Sequence, residues 1–298
     1  KAVLLATLLK SAGIDAQVAA VVRTALADEK IATLADIEDF AVKAEFRDRG
    51  TWYFSVSGIN SVNLKLSLPG RSFIALKPGE KVSVTTTGNP KQMIKTIGTF
   101  IVSSDPRLTG EVSMYFEGGV YPLAGLQRDK NRMRNSLSGN LIGNDTANLK
   151  VSTLNSENGF QTYIVQSVKP FRKDSNFYYF ILPVVTSGID SWGIKTLSQK
   201  RENPYEIPSM ADESYSYTIT LPASLACFTP DKKLSVSNKA GTFTWEVKNE
   251  NGKLSVRRQL KFSERIFPAT EYRDFKILMD YWNNMWYRQL IFTVNREQ

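Results

Sequence analysis

A chain of 298 residues with 42% apolar content is long enough for one large domain or two ordinary ones, and at this size it buries roughly three quarters of its unfolded surface. It contains no histidine and one cysteine, Cys227, which excludes an intrachain disulfide, His-based zinc sites and every Ser-His or Cys-His catalytic pair. The net charge of +9 permits an acidic partner, yet the 38 basic residues are scattered among 29 acidic ones, which argues against a nucleic-acid footprint.

Lys1 to Gly13 reads as a helix of Ala, Val and Leu, apolar on all sides and so predicted to be a core helix, with Gly13 where a left-handed C-terminal cap belongs. No capping residue or polar first turn precedes it, so the chain reads as cut upstream. It is too short for a membrane span, which takes about 20 residues, and lacks the n-region and cleavage site of a signal peptide. A strand follows over Ile14 to Val22, then a polar loop from Thr24 to Asp39 with a helical turn around Leu34 to Ile37. Phe40, Val42, Ala44 and Phe46 alternate with Ala41, Lys43 and Glu45, and after the turn Arg47 to Gly50 the residues Trp52, Phe54 and Val56 alternate with Tyr53 and Ser55. That pattern predicts a half-buried antiparallel hairpin.

Leu68 to Gly70 and Lys77 to Glu80 read as turns, and Thr85 to Pro90 as a domain boundary. Beyond it short strands are predicted at 99–103, 110–116, 149–153, 160–168, 177–185, 215–221, 233–237, 241–248 and 253–263, a spacing that indicates a β-sandwich. Asn249 to Gly252, with Asn-Gly at its end, is the clearest hairpin turn. Between the second and third strands Leu126 to Leu137 carries Arg128, Lys130, Arg132 and Arg134, which read as a solvated helix or loop in preference to an anion-binding patch. Asn144-Asp145-Thr146 is a formal N-glycosylation triplet. Near the end, Phe275, Leu278, Met279, Trp282, Met285 and Trp286 follow helical spacing, predicting an amphipathic helix over Thr270 to Arg288 with Phe275, Leu278, Trp282 and Trp286 in the core. Leu290 to Val294 then returns to extended structure.

The stretch Lys-Ala-Val-Leu-Leu-Ala-Thr-Leu-Leu-Lys-Ser-Ala-Gly-Ile-Asp-Ala resembles the helix that follows the nucleophilic cysteine in bacterial transglutaminase-like proteins, of the papain-like cysteine peptidase superfamily. In such enzymes the free N–H groups of the helix start favour the thiolate. The segments Arg201 to Pro208, Tyr217 to Pro222, Thr229-Pro230 and Tyr272 to Phe275 are similar to the carboxy-terminal β domain that follows that core in certain multi-domain bacterial proteins. The resemblance implies a cysteine before Lys1, a His opening the Phe40 strand and an Asp closing the next. Here those positions hold Asp39 to Ala41 and Ser55 to Ser57, with neither residue type required.

The expected fold class is therefore α+β: an incomplete transglutaminase-like core lacking triad residues over 1–90, then an antiparallel β-sandwich over 91–298 closed by a carboxy-terminal helix. No catalytic, cofactor-binding or metal residue is assigned. Asp39 is the ionisable residue nearest the His position, and Glu38, Glu45 and Asp48 are too dispersed for a glycosidase pair. Cys227, with no His to deprotonate it and Lys232 the nearest base that follows it, reads as a buried structural thiol. The expected function is a non-catalytic pseudoenzyme module binding protein, extended peptide or glycan, without nucleic acid and without a membrane-spanning segment. The alternative is a cysteine protease or transglutaminase-like enzyme whose nucleophile lies upstream of Lys1. The resemblance implies a periplasmic or cell-surface location.

Overall fold

Antiparallel sheets carry almost all of the fold in the computed structural model. The structure describes residues 1–23, 37–56, 71–75, 83–86, 91–105, 107–117, 150–155, 160–167, 171–185, 188–194 and 197–295. Two units separate, Lys1–Lys91 with Gly118–Gly125 and Gln92–Glu117 with Leu126–Gln298.

The first unit opens with α1 (Ala2–Ser11), followed by β1 (Asp15–Arg23), β2 (Ile37–Phe46), β3 (Gly50–Ser55), β4 (Arg71–Ala75) and β5 (Ser83–Thr86), which form one sheet in the order β3-β2-β1-β4-β5. Gly13 ends α1 at φ +78°, and the Ile14 N–H reaches the Leu9 carbonyl at 2.9 Å while the Gly13 N–H reaches that of Lys10. Those two bonds are a Schellman cap, which a residue with a Cβ closes only with strain. The helix lays Ala2 and Ala6 on the sheet face formed by Ala16, Val42 and Ala44, with Leu5, Leu9, Phe46 and Phe54 around them. The opposite sheet face holds Ala19, Val21, Ala41, Tyr53 and Phe73, the last two stacked at 4.0 Å between ring centroids. Small side chains at the β1–β2 centre, paired Ala16 to Ala44 and Ala19 to Ala41, let both faces pack tightly.

The second unit comprises β6 (Lys91–Val102), β7 (Leu108–Glu117), β8 (Lys150–Asn155), β9 (Phe160–Ser167), β10 (Arg172–Asp174), β11 (Phe177–Ile181), β12 (Tyr205–Glu206), β13 (Met210–Thr220), β14 (Leu225–Cys227), β15 (Lys232–Asn238), β16 (Gly241–Glu250), β17 (Lys253–Phe262), β18 (Ile266–Phe267), α2 (Tyr272–Asn283) and β19 (Gln289–Val294). A long sheet runs β15-β16-β17-β13-β6-β7-β9-β8, and a smaller one runs β10-β11-β19-β14. The β16–β17 hairpin turns through Asn251 (φ +52°) and Gly252 (φ +76°), the two-residue left-handed turn that suits strand twist. On the long sheet one face is apolar: Tyr215, Tyr217 and Ile219 of β13, Phe243 and Trp245 of β16, and Leu254, Val256 and Leu260 of β17 are buried. Helix α2 covers that face with Phe275, Leu278, Met279 and Trp282. The smaller sheet adjoins it where Phe180 meets Phe100 and the Tyr217 hydroxyl donates to the Pro183 carbonyl at 2.6 Å.

Three expectations are corrected. The α+β class with a transglutaminase-like core is overturned: among the described residues the chain is chiefly strand, with α1 and α2 its α-helices, and the first unit is a five-stranded sheet with one helix on it. The reason is that α1 is one-sided. Val3, Leu4 and Leu8 are 69%, 64% and 57% exposed, so the sheet and not a helical layer organises that core. The terminal helix is also shorter than predicted. Asn284 takes an extended conformation and its side-chain oxygen accepts the Trp286 N–H at 2.9 Å, an alternative partner that ends α2 before a single 3₁₀ turn at Met285–Tyr287. Trp286 therefore lies 48% exposed, outside the core predicted for it. The Leu126 to Leu137 basic stretch and the Asn144 triplet lie outside the described residues, as does the turn read at Leu34 to Ile37 except for Ile37, which opens β2 as strand.

Candidate functional site

The carboxylates nearest the catalytic positions of the resembled family sit on the β2 ladder and its turn, each with its own use. Glu38 pairs with Arg71 at 2.6 Å, Glu45 with Lys43 at 2.9 Å and the Thr51 hydroxyl at 2.7 Å, and Asp39 accepts the Phe40 N–H at 2.8 Å. Asp48 is exposed in the turn. The Glu45 contact raises the Lys43 ammonium pKa. The Glu45 contacts brace the β2–β3 hairpin, and Glu38 reaches from β2 to Arg71 of β4. The first helix lies directly on the hairpin, Ala2 and Ala6 packing with Val42 and Ala44.

Cys227 closes β14 opposite Phe292 of β19. Its thiol donates to the Thr229 carbonyl at 3.3 Å, and burial pushes its pKa above the ordinary thiol value. A thiol held neutral this way is a poor nucleophile.

The structure assembles a cluster that the sequence pattern did not single out. Alternation along β13 puts Glu213 in phase with Ala211, Tyr215 and Tyr217, and along β17 puts Arg258 in phase with Val256 and Leu260. Both charged side chains therefore enter the apolar face, where they are 1% and 2% exposed. Tyr215 lies directly across the ladder from Arg258. Glu213 Oε2 accepts the Ile189 N–H at 2.6 Å and its Oε1 accepts the Tyr215 hydroxyl. The Tyr215 oxygen in turn accepts the Val185 N–H at 2.9 Å. Arg258 lies 3.7 Å from the Trp282 ring centroid and donates to the Trp282 carbonyl, and the Trp282 indole donates to Asp190 at 3.1 Å. Asp190 also binds Arg288 at 2.5 Å.

Burial dominates the electrostatics. It raises the Glu213 carboxyl to about 7 against the hydrogen bonds from Tyr215 and Ile189, lowers Arg258 to about 10, and drives Tyr215 and Tyr217 well above the ordinary phenol value. The Nε atoms of Arg258 and Arg288 are buried without a hydrogen-bond partner, a cost offset for Arg258 by its guanidinium face stacking on the Trp282 ring. The signal available in the sequence was a charged residue in the apolar phase of a strand: Glu213 among Ala211, Tyr215 and Tyr217, and Arg258 between Val256 and Leu260. Among the described residues no group of three or more His, Cys, Asp or Glu side chains is placed to hold a metal, and no helix is long and apolar enough to cross a membrane.

Residues 176–292, which contain every member of this cluster, match the family model described as Domain of Unknown Function with solved-structure structure (DUF3858). Comparison with curated protein sequences finds no match. Among solved structures the chain is similar to the crystal structure of a "putative protease" from Parabacteroides distasonis, with a TM-score of 0.57 and 21% identity over 98% of this chain. The match covers 43% of that protein, so this chain spans less than half its length. At such identity the likeness is one of fold: the described chain shares a β-rich architecture with a longer protein, and its carboxy-terminal region matches a domain whose function is unassigned.

Proposed function

We propose that this chain is a non-catalytic module of a longer protein and acts by docking protein surface, without cleaving peptides or transferring acyl groups. The observation that carries the reading is the state of its one thiol. Cys227 is partly buried, bonded to a carbonyl and raised in pKa, in a sequence with no imidazole to deprotonate it. Support for docking comes from α1, where Val3, Leu4 and Leu8 form an exposed apolar face, the kind of surface that proteins ordinarily cover. An envelope location rests on the sequence resemblance alone.

The alternative, a cysteine peptidase with its nucleophile upstream of Lys1, draws on what the similar solved structure is called. The two separate in one set of assays for peptide hydrolysis and for amine incorporation into glutamine peptides. The chain of 298 residues is expected to show background turnover, unchanged by Cys227→Ser. Turnover by this chain that the substitution abolishes overturns the proposal. Turnover confined to a longer protein, and lost when an upstream cysteine becomes Ala, favours the alternative.

A further inference from the structure

Arg201 is a half-buried cation that the second unit leaves without an anion. Its guanidinium carbon lies 5.0 Å from the Tyr205 ring centroid and 5.7 Å from that of Tyr272. Among the described residues it has no hydrogen-bond or ion-pair partner. Its Nε atom is buried and unpaired, and because Nε alone of the three nitrogens is placed so, the two Nη atoms open to solvent. Three other arginines set against the core of this unit each have an acceptor: Arg265 pairs with Glu206, Arg288 with Asp190, and Arg258 donates to the Trp282 carbonyl.

The two rings are fixed from behind. Tyr205 pairs with Phe267 in the β12–β18 ladder and its ring lies 4.8 Å from that of Phe275, itself fully buried. Tyr272 opens α2 and its hydroxyl donates to the Ser198 carbonyl at 3.1 Å. Ring faces attract the cation, but they do not accept the N–H bonds that lie in the guanidinium plane. A guanidinium partly withdrawn from water with those donors unused costs free energy, which a planar acceptor at its open end recovers. The chain's own carboxylates nearby are committed elsewhere, Glu206 to Arg265 and Glu271 to Lys239, and Glu202, the next residue, is exposed and unpaired with Arg201.

We propose that Arg201 binds a carboxylate supplied from outside the chain, held end-on by its two Nη atoms, with Tyr205 and Tyr272 fixing the guanidinium. Charge and shape choose the class. One guanidinium, flanked in sequence by the exposed and mutually cancelling Lys200 and Glu202, offers a single positive charge and a planar pair of donors, which suits a singly charged planar anion. A doubly charged phosphate group is ordinarily met by a cluster of cations. The site belongs to the second unit and stands whether or not α1 docks a partner.

NMR titrations of the full chain at constant ionic strength test this through the Arg201 Nε–H signal and the Tyr205 ring signals. Acetate is expected to move both saturably, with a midpoint in the millimolar range, while chloride leaves them in place. Acetamide, which keeps the shape and lacks the charge, should bind at least about tenfold more weakly. Acetyl-Ala-Glu-Ala-amide and acetyl-Ala-Ala-Ala with a free terminal carboxylate distinguish an acidic side chain from a chain terminus as the source. Arg201→Gln should abolish the Tyr205 response. No saturable response to any of the carboxylates overturns the proposal, as does a Tyr205 response retained in the Gln variant or tighter binding of inorganic phosphate than of every carboxylate probe. If the Gln variant does not fold, the wild-type chain decides: equal responses to acetate and acetamide contradict the proposal.

Discussion

Glu213 shows how one residue can bias the stability of a sheet with pH. The folded chain keeps the carboxyl proton up to about 7, whereas the unfolded chain releases it near 4.5. Between those values the folded state holds more protons, so stability falls as pH rises through the window and levels above it, by about 3 kcal/mol in all. The stability gap between wild type and Glu213→Gln, measured by urea unfolding at pH steps across that window, should shift by this amount in favour of the variant. A constant gap would mean that the carboxyl ionises in the fold as readily as in solvent. This site was half legible in the sequence. Strand alternation alone places Glu213 and Arg258 on the buried face, but what they meet there, a bend 24 residues earlier in the chain and an indole 24 residues later, is set by tertiary contacts that no local pattern encodes.

At the scale of the element, α2 and α1 behave oppositely. The Phe275, Leu278 and Trp282 stripe was readable from its helical spacing, and all three are fully buried. Trp286 fits the same spacing but lies beyond the break at Asn284, whose competing side-chain acceptor a periodicity argument does not weigh. Trp282→Ala should cost about 3 to 5 kcal/mol, since it empties a core site and strips Arg258 and Asp190 of partners, while Trp286→Ala should stay within about 1 kcal/mol. Comparable losses in thermal or urea unfolding would return Trp286 to the core. For α1, composition gave the helix and its Gly13 cap but not its orientation, because Ala, Val and Leu offer no polar face to mark the solvent side. Leu4→Glu with Leu8→Glu should therefore change stability by about 0.5 kcal/mol or less per site and reduce the binding of an apolar dye. Unfolding of the double variant would show that this face is covered within the chain. Gly13→Ala, strained by its positive φ with open space around the added Cβ, should cost about 1 kcal/mol.

For the whole molecule, most strands beyond residue 91 were visible as alternating runs, and the turn read over Asn249 to Gly252 was legible in place but too long, since Asn249 and Glu250 still pair within the hairpin and Asn251-Gly252 alone make the turn. Class was misread because the most distinctive stretch, Lys1 to Gly13, is helical, whereas the first unit takes its core from the pairing of Ala16 with Ala44 and Ala19 with Ala41, small residues that carry little strand signal. The claim that bears most on function is chemical: the one thiol of this chain, Cys227, is not activated as a nucleophile. Its most direct test is the pH dependence of Cys227 alkylation by iodoacetamide under native conditions. The account predicts slow labelling with a midpoint above the free-thiol value of about 8.5. Rapid labelling with a midpoint below about 7 would reveal a stabilised thiolate and contradict it.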